Sequence, residues 1–217
     1  ALGERLARRD LKDALARQEW LVRDAYHRVK NNLMVVESLL RLQSSEIQDP
    51  GDLARFQDAM GRVHSMLLIH DTLNRSADLA SVSSKAYFEG LLASLLEACR
   101  RPGLKVRLES AIADLNLGPA QALGLGLITN ELISNALKHA FPGRAEGLVS
   151  IGLSREGEDL VLSVADDGVG LAEGLEDRAG SSLGLLIVSA KTQELGGTMR
   201  VARPGGTRFE FRFPPRP

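Results

Sequence analysis

From Leu2 to Ile47 the apolar residues recur with a seven-residue period, and no proline interrupts them. Leu15, Val22, Val29 and Val36 form one row; Tyr26, Leu33, Leu40 and Ile47 form a second row offset by four. That pattern predicts one long helix whose stripe packs on other helices, close to coiled-coil geometry. The segment QDPGD, residues 48–52, predicts a Pro-Gly turn. A second helix follows, with Leu53, Phe56, Met60, Val63 and Leu67 on one stripe. A two-helix hairpin cannot bury such a face alone. Pairing with a second copy as a four-helix bundle is the expected solution, so a homodimer is expected; a pseudo-dimer or packing on another domain would serve the same need.

Beyond a polar stretch at 76–85 the pattern changes. An amphipathic helix is predicted at 86–100, a β-like run from Leu104, and a helix from Pro119 to His139. Two β-like runs, GLVSIGLS and DLVLSVAD, stand at hairpin spacing. A Gly-rich stretch covers 168–184, then come a helix at 185–195 and two terminal strands, TMRVARP and TRFEFRF. The fold class expected is α+β: a helical hairpin, residues 1–80, followed by an α/β sandwich, residues 81–217, with helices on one face of a sheet.

Composition narrows the function classes. A net charge of −1 and 4% aromatic residues argue against nucleic-acid binding. No apolar run approaches the ~18 residues needed to span a bilayer, and the start lacks a signal-peptide pattern. One cysteine, Cys99, cannot form an internal disulfide; a cytoplasmic setting is expected.

The candidate chemistry lies in four short motifs. His27, in HRVKNNL, shares a helical face with Asp24, Lys30, Asn31 and Met34. A neutral imidazole is a competent nucleophile near neutral pH, but an ordinary solvated histidine would look the same. In TNELISNALKHAF, helical spacing aligns Glu131, Asn135 and Lys138 or His139, opposite an apolar face of Leu125, Ile128, Leu132 and Ala136. Hard oxygen donors and a cation in one row suit Mg²⁺ and phosphate; a solvated amphipathic helix is the other reading. DDGVG, from Asp166 to Gly170, offers a carboxylate for an exocyclic amine beside glycines, or merely a turn. GSSLGL, from Gly180 to Leu185, leads into a helix N-terminus of the kind that holds phosphate. Thr207, in GGT, adds a hydroxyl or closes the last hairpin.

Together, and in this order, HRVKNNL, NELISNALKHAF, DDGVG and SLGL resemble the histidine kinases of the second HisKA-type class, related to the HWE kinases. The resemblance runs from about Leu21 onward, and its second half is similar to the ATP-binding fold shared by gyrase, Hsp90, MutL and histidine kinases. It implies His27 as phosphoacceptor, Asn135 as Mg²⁺ ligand and Asp166 as the adenine-recognising carboxylate. Gly168, Gly170, Gly180 and Gly184 would shape the pocket and its lid, and Lys138 and His139 would face the phosphates. Glu131 stands where ATPases of this fold hold a water-activating carboxylate; in a kinase it would order hydrated Mg²⁺ or help deprotonate the imidazole. ATP and Mg²⁺ are the implied cofactors, and a response-regulator receiver domain is the implied partner. A sensory domain is expected to precede residue 1.

Some residues depart from the pattern. Arg28 follows His27 where the largest histidine-kinase class has an acidic base, which leaves Asp24 and Glu131 as candidates. Ser182 replaces a second glycine of the lid box. No phenylalanine-rich box precedes that lid, and Trp20 lies far upstream of any HWE-type Trp-x-Glu signature. Asn31 is expected to orient water or an acceptor carboxylate. Two other readings remain open: an ATP-hydrolysing machine of the gyrase–Hsp90 fold with Glu131 as base, and a degenerate kinase acting as a scaffold.

Overall fold

The computed structural model describes residues 2–49, 51–53, 56, 59–60, 63, 67, 82–98, 103–170, 183–203 and 205–215, and before residue 27 many positions by backbone alone. The chain divides into two compact units, Ala1–Ala80 and Ser81–Pro217.

The first unit is led by α1, Leu2–Ser44, a helix of 43 residues. It ends three residues before Ile47 because two serines fold back on its last carbonyls. Ser44 Oγ donates to the Arg41 carbonyl and Ser45 Oγ to the Leu42 carbonyl, each at 2.7 Å. Those hydroxyls add to the closing turn at the helix end, where Ser45 N also donates to the Leu42 carbonyl at 3.3 Å. Asp49 then starts the next helical stretch as an N-cap: its Oδ1 accepts from Asp52 N at 2.8 Å, and its carbonyl accepts from Leu53 N at 2.9 Å. Residues 51–53, 56, 59–60, 63 and 67 are helical, and Leu67 is buried. Along α1, Leu33 and Leu40 are half-buried, whereas Val29 and Val36 stay 42% and 43% exposed. The stripe is therefore only partly covered within one chain.

The second unit is a mixed sheet with helices on one face. Its strands are β1 (Val82–Ser83), β2 (Lys105–Ile112), β3 (Asn116–Leu117), β4 (Glu146–Glu156), β5 (Asp159–Asp166), β6 (Thr198–Ala202) and β7 (Thr207–Phe213). The five-stranded sheet runs β2-β4-β5-β7-β6; β2 and β4 are parallel and the other pairs antiparallel. β1 and β3 form a separate two-stranded ladder, too short to show in a periodicity. The helices are α2 (Ser84–Ala98), α3 (Pro119–Asn135) and α4 (Leu183–Glu194).

Cross-strand register fixes which side chains face the helices. Val149, Ile151 and Leu153 of β4 stand opposite Asp166, Val164 and Leu162 of β5, and these stand opposite Thr207, Phe209 and Phe211 of β7. This face is the core: Val149, Leu162 and Phe211 are fully buried together with Phe88, Leu125, Ile128 and Val188 from the helices. The other face carries Ser150, Gly152, Ser154, Ser163, Arg208, Glu210 and Arg212, a polar set at the alternating positions.

Candidate functional site

Period-two alternation puts Asp166 on the core face, at the very end of β5, where a carboxylate would be costly without partners. Its Oδ1 accepts from Gly168 N at 2.9 Å and from Thr207 N at 3.4 Å. Thr207 itself is buried. The glycines here are demanded first by the chain's own packing. A Cβ on Gly168 would collide with the Ala140 carbonyl, and one on Gly206 with the Asp166 carbonyl. Val169 N donates to that same Ala140 carbonyl at 2.9 Å, so the DDGVG loop is seated on the end of the α3 segment. Gly170 adopts φ +76°, in the left-handed region.

Above this loop, α3 passes at Ala136–Ala140 into a π-helical turn. Wider turns of this kind occur often at functional sites. The single row expected for Glu131, Asn135 and Lys138 or His139 presumed α-helical spacing throughout, and the π turn changes the angular step after Asn135. Glu131 is only 3% exposed, Asn135 and Lys138 are half-buried and His139 is exposed. The expected polar and apolar faces are not distinct at this height, since Leu125, Ile128, Leu132 and Ala136 are buried as well. That burial excludes the solvated-helix reading for Glu131. Thr129 and Asn130 are buried too, and Thr129 Oγ1 and Asn130 Oδ1 have no hydrogen-bond partner among the described residues. They escaped the sequence pattern because a polar pair inside GLGLITNELI shows only once burial is known.

A second pair also escaped it. Asp167 Oδ1 accepts from Leu148 N at 2.7 Å, and Arg144 Nη2 donates to Asp167 Oδ2 at 2.8 Å. Arg144 Nη1 donates to the Asp167 carbonyl at 2.5 Å, with the guanidinium 5.5 Å from the Phe141 ring centroid. The Leu148 amide and then the Arg144 guanidinium hold the Asp167 carboxyl below the usual carboxylate range.

On α1, His27 and Asn31 are exposed and Asp24 is half-buried. Arg28 Nε donates to Asp24 Oδ2 at 2.7 Å, so one of the base candidates is already held in an ion pair. Trp20 and Met34, one heptad either side of His27, are 62% and 49% exposed, so its helical face is less polar than expected. Gly184 is buried in the first turn of α4, while Gly180, Ser182, Cys99 and most of the 76–85 stretch lie outside the described residues. Among the described residues no three His, Cys, Asp or Glu side chains gather as a metal cage. The Asn135 amide offers the kind of hard oxygen that could hold Mg²⁺, an ion that commonly completes its shell with nucleotide oxygens and water. Among the described residues no helix is long and apolar enough to cross a membrane.

Comparison with known proteins finds matches to two segments of the chain. A family model described as histidine kinase matches residues 25–99, and one described as histidine kinase-, DNA gyrase B-, and HSP90-like ATPase matches residues 120–217. The sensor histidine kinase PdtaS of Mycobacterium tuberculosis is 36% identical over 208 residues, covering 93% of this chain and 40% of the relative. Blue-light-activated histidine kinase 2 of Erythrobacter litoralis is 32% identical over 191 residues, covering 85% of this chain and 53% of the relative. The chain thus spans well under two thirds of the length of these curated relatives. Among solved structures, the histidine kinase domain of the Erythrobacter litoralis EL346 blue-light activated histidine kinase is 31% identical. It covers 87% of this chain and 90% of that one, with a TM-score of 0.63.

Proposed function

The chain belongs to the histidine kinases, and on that premise we propose that it binds ATP·Mg²⁺ in its second unit, phosphorylates His27 and passes the phosphoryl group to a receiver-domain aspartate. The single observation that carries this reading is Asp166: a half-buried carboxylate at the end of β5, on its core face, bonded through Oδ1 to the two backbone amides of Gly168 and Thr207. Among the described residues both bonds fall on Oδ1, which leaves Oδ2 for the amine of adenine.

Transfer is an in-line displacement. An imidazole nitrogen of His27 forms a bond to the γ-phosphorus as the bond to the β,γ-bridging oxygen breaks; ADP leaves and the imidazole gives up its N–H proton. Asn135 would hold Mg²⁺, which neutralises charge on the phosphate oxygens when bound. Lys138, His139 and the α4 N-terminus, with Gly184, would align the triphosphate, so that positioning and electrostatics supply most of the catalysis. Asp24 is the better base candidate, because it lies one turn before His27 and retains an oxygen beyond the Arg28 pair, whereas Glu131 is enclosed and suits ordering of hydrated metal. Asn31, one turn after His27, would orient the acceptor carboxylate or a water. The partly covered stripe of α1 supports a homodimer, and a sensory domain ahead of residue 1 and a cytoplasmic setting fit the reading.

The test is incubation with γ-labelled ATP and Mg²⁺. Label that is lost in acid, survives base and is absent in His27→Gln supports the kinase. Phosphate release without labelling would favour an ATPase with Glu131 as base, and neither product would favour a scaffold.

A further inference from the structure

We infer that Arg144 is a positioning residue for nucleotide binding: through Asp167 it staples the DDGVG loop to the start of β4 and so holds Asp166 in place. The inference rests on the reading of Asp166 as the adenine-binding carboxylate.

Four contacts converge on one residue. Asp167 N donates to the Leu148 carbonyl at 3.1 Å and Asp167 Oδ1 accepts from Leu148 N at 2.7 Å, a closed pair with β4. Arg144 supplies the other two, to the carboxylate Oδ2 and to the main-chain carbonyl. A planar guanidinium can reach both with fixed geometry, which an ammonium cannot. The carbonyl it grips belongs to the peptide unit joining Asp167 to Gly168, and Gly168 N is the amide that donates to Asp166 Oδ1 at 2.9 Å. Arg144 therefore fixes the orientation of the amide that orients the adenine acceptor. Its own position is set by the turn after the π-helical segment: Arg144 N donates to the Phe141 carbonyl at 3.3 Å, and its guanidinium lies over the Phe141 ring. The pair is 40% and 42% exposed, forming one wall of a cavity of about 420 Å³ with Lys105, Arg107 and Glu146. An ion pair that open contributes little to global stability, so its value lies in local geometry.

The experiment compares the full chain with Arg144→Ala, Arg144→Lys, Asp167→Asn and the double variant. ATP affinity is read by calorimetry, melting temperature by circular dichroism, and autophosphorylation rate as a function of ATP concentration. The expected result is about a tenfold weaker ATP affinity for Arg144→Ala, with the melting temperature within a few degrees of the parent. KM for ATP should rise while the rate at saturating ATP is kept. Arg144→Lys should restore only part of the affinity, and the double variant should be no weaker than Arg144→Ala. ATP affinity of Arg144→Ala equal to that of the parent overturns the inference; so does a lost affinity matched by a collapse in melting temperature, or one that Lys restores fully. A parent chain that binds no ATP overturns the functional reading instead, which keeps the two failures apart.

Discussion

The two units solve the burial problem in opposite ways. Among the described residues, Leu67 is the one buried hydrophobic of the first unit, while α1 leaves Trp20, Leu21, Val29, Met34, Val35, Val36, Leu39 and Leu42 exposed. The second unit encloses Phe88, Leu125, Ile128, Val149, Leu162, Val188 and Phe211 completely within one chain. The sheet and three helices form a self-sufficient core; a helix repeating every seven residues presents a face that asks for a partner. On the proposed reading, the unit assigned the nucleotide encloses its own core, and the unit that carries His27 leaves much of its apolar helix uncovered among the described residues.

Substituting a leucine in each unit should test that contrast most plainly. Leu162→Ala removes a fully buried side chain and should cost ~2–5 kcal/mol, seen as a lower melting temperature at every protein concentration. Leu39→Glu places a charge on a residue that is 56% exposed. It should leave the second unit's melting transition unchanged and weaken dimerisation about 100-fold, ~2.7 kcal/mol, by sedimentation equilibrium. A concentration-independent loss for Leu39→Glu would mean that α1 is completed within the chain.

The pattern of apolar positions made the larger elements legible. The heptad stripe marked α1, and β-like runs at hairpin spacing and at the chain's end marked β4, β5 and β7, whose register carries Asp166 to the core face. What stayed hidden needed the third dimension. The β1 and β3 ladder has two residues per strand, and the π turn at Ala136–Ala140 alters a spacing that letters alone cannot show. Arg144 sits in a Pro-Gly turn that reads as an ordinary solvated loop, and its partner Asp167 is the unremarked half of a two-aspartate motif. Asp166, His27 and Asn135 were nameable as a set because their motifs occur together; their individual environments were not.

Smaller effects sharpen the picture of the second unit's interior. Tyr87 is 2% exposed and packs on Gly126, and its Oη has no hydrogen-bond partner among the described residues. Burial pushes its pKa up. Tyr87→Phe removes an unsatisfied hydroxyl and should leave stability equal or raise it by ~1 kcal/mol, measured by urea unfolding; a loss of that size would mean the hydroxyl is paired. The smallest effect is an acid limb. Asp167 is held ionised in the folded chain, so its folded pKa lies below the unfolded value of about 3.9. Its contribution is complete above that unfolded value and disappears as pH falls through the folded one. Between pH 8 and 5 the difference in melting temperature between parent and Asp167→Asn should stay constant, and it should shrink only below about pH 4.

The most direct measurement is the location of the phosphoryl group. After incubation with ATP and Mg²⁺, the chain is digested at alkaline pH and its peptides are sequenced by mass spectrometry. A phosphoryl group on His27 alone, absent from Asp166→Asn at the same ATP concentration, is the predicted result. Phosphate released with His27 unmodified, or a phosphoryl group on a residue of the second unit, would contradict the division of acceptor and nucleotide between the two units.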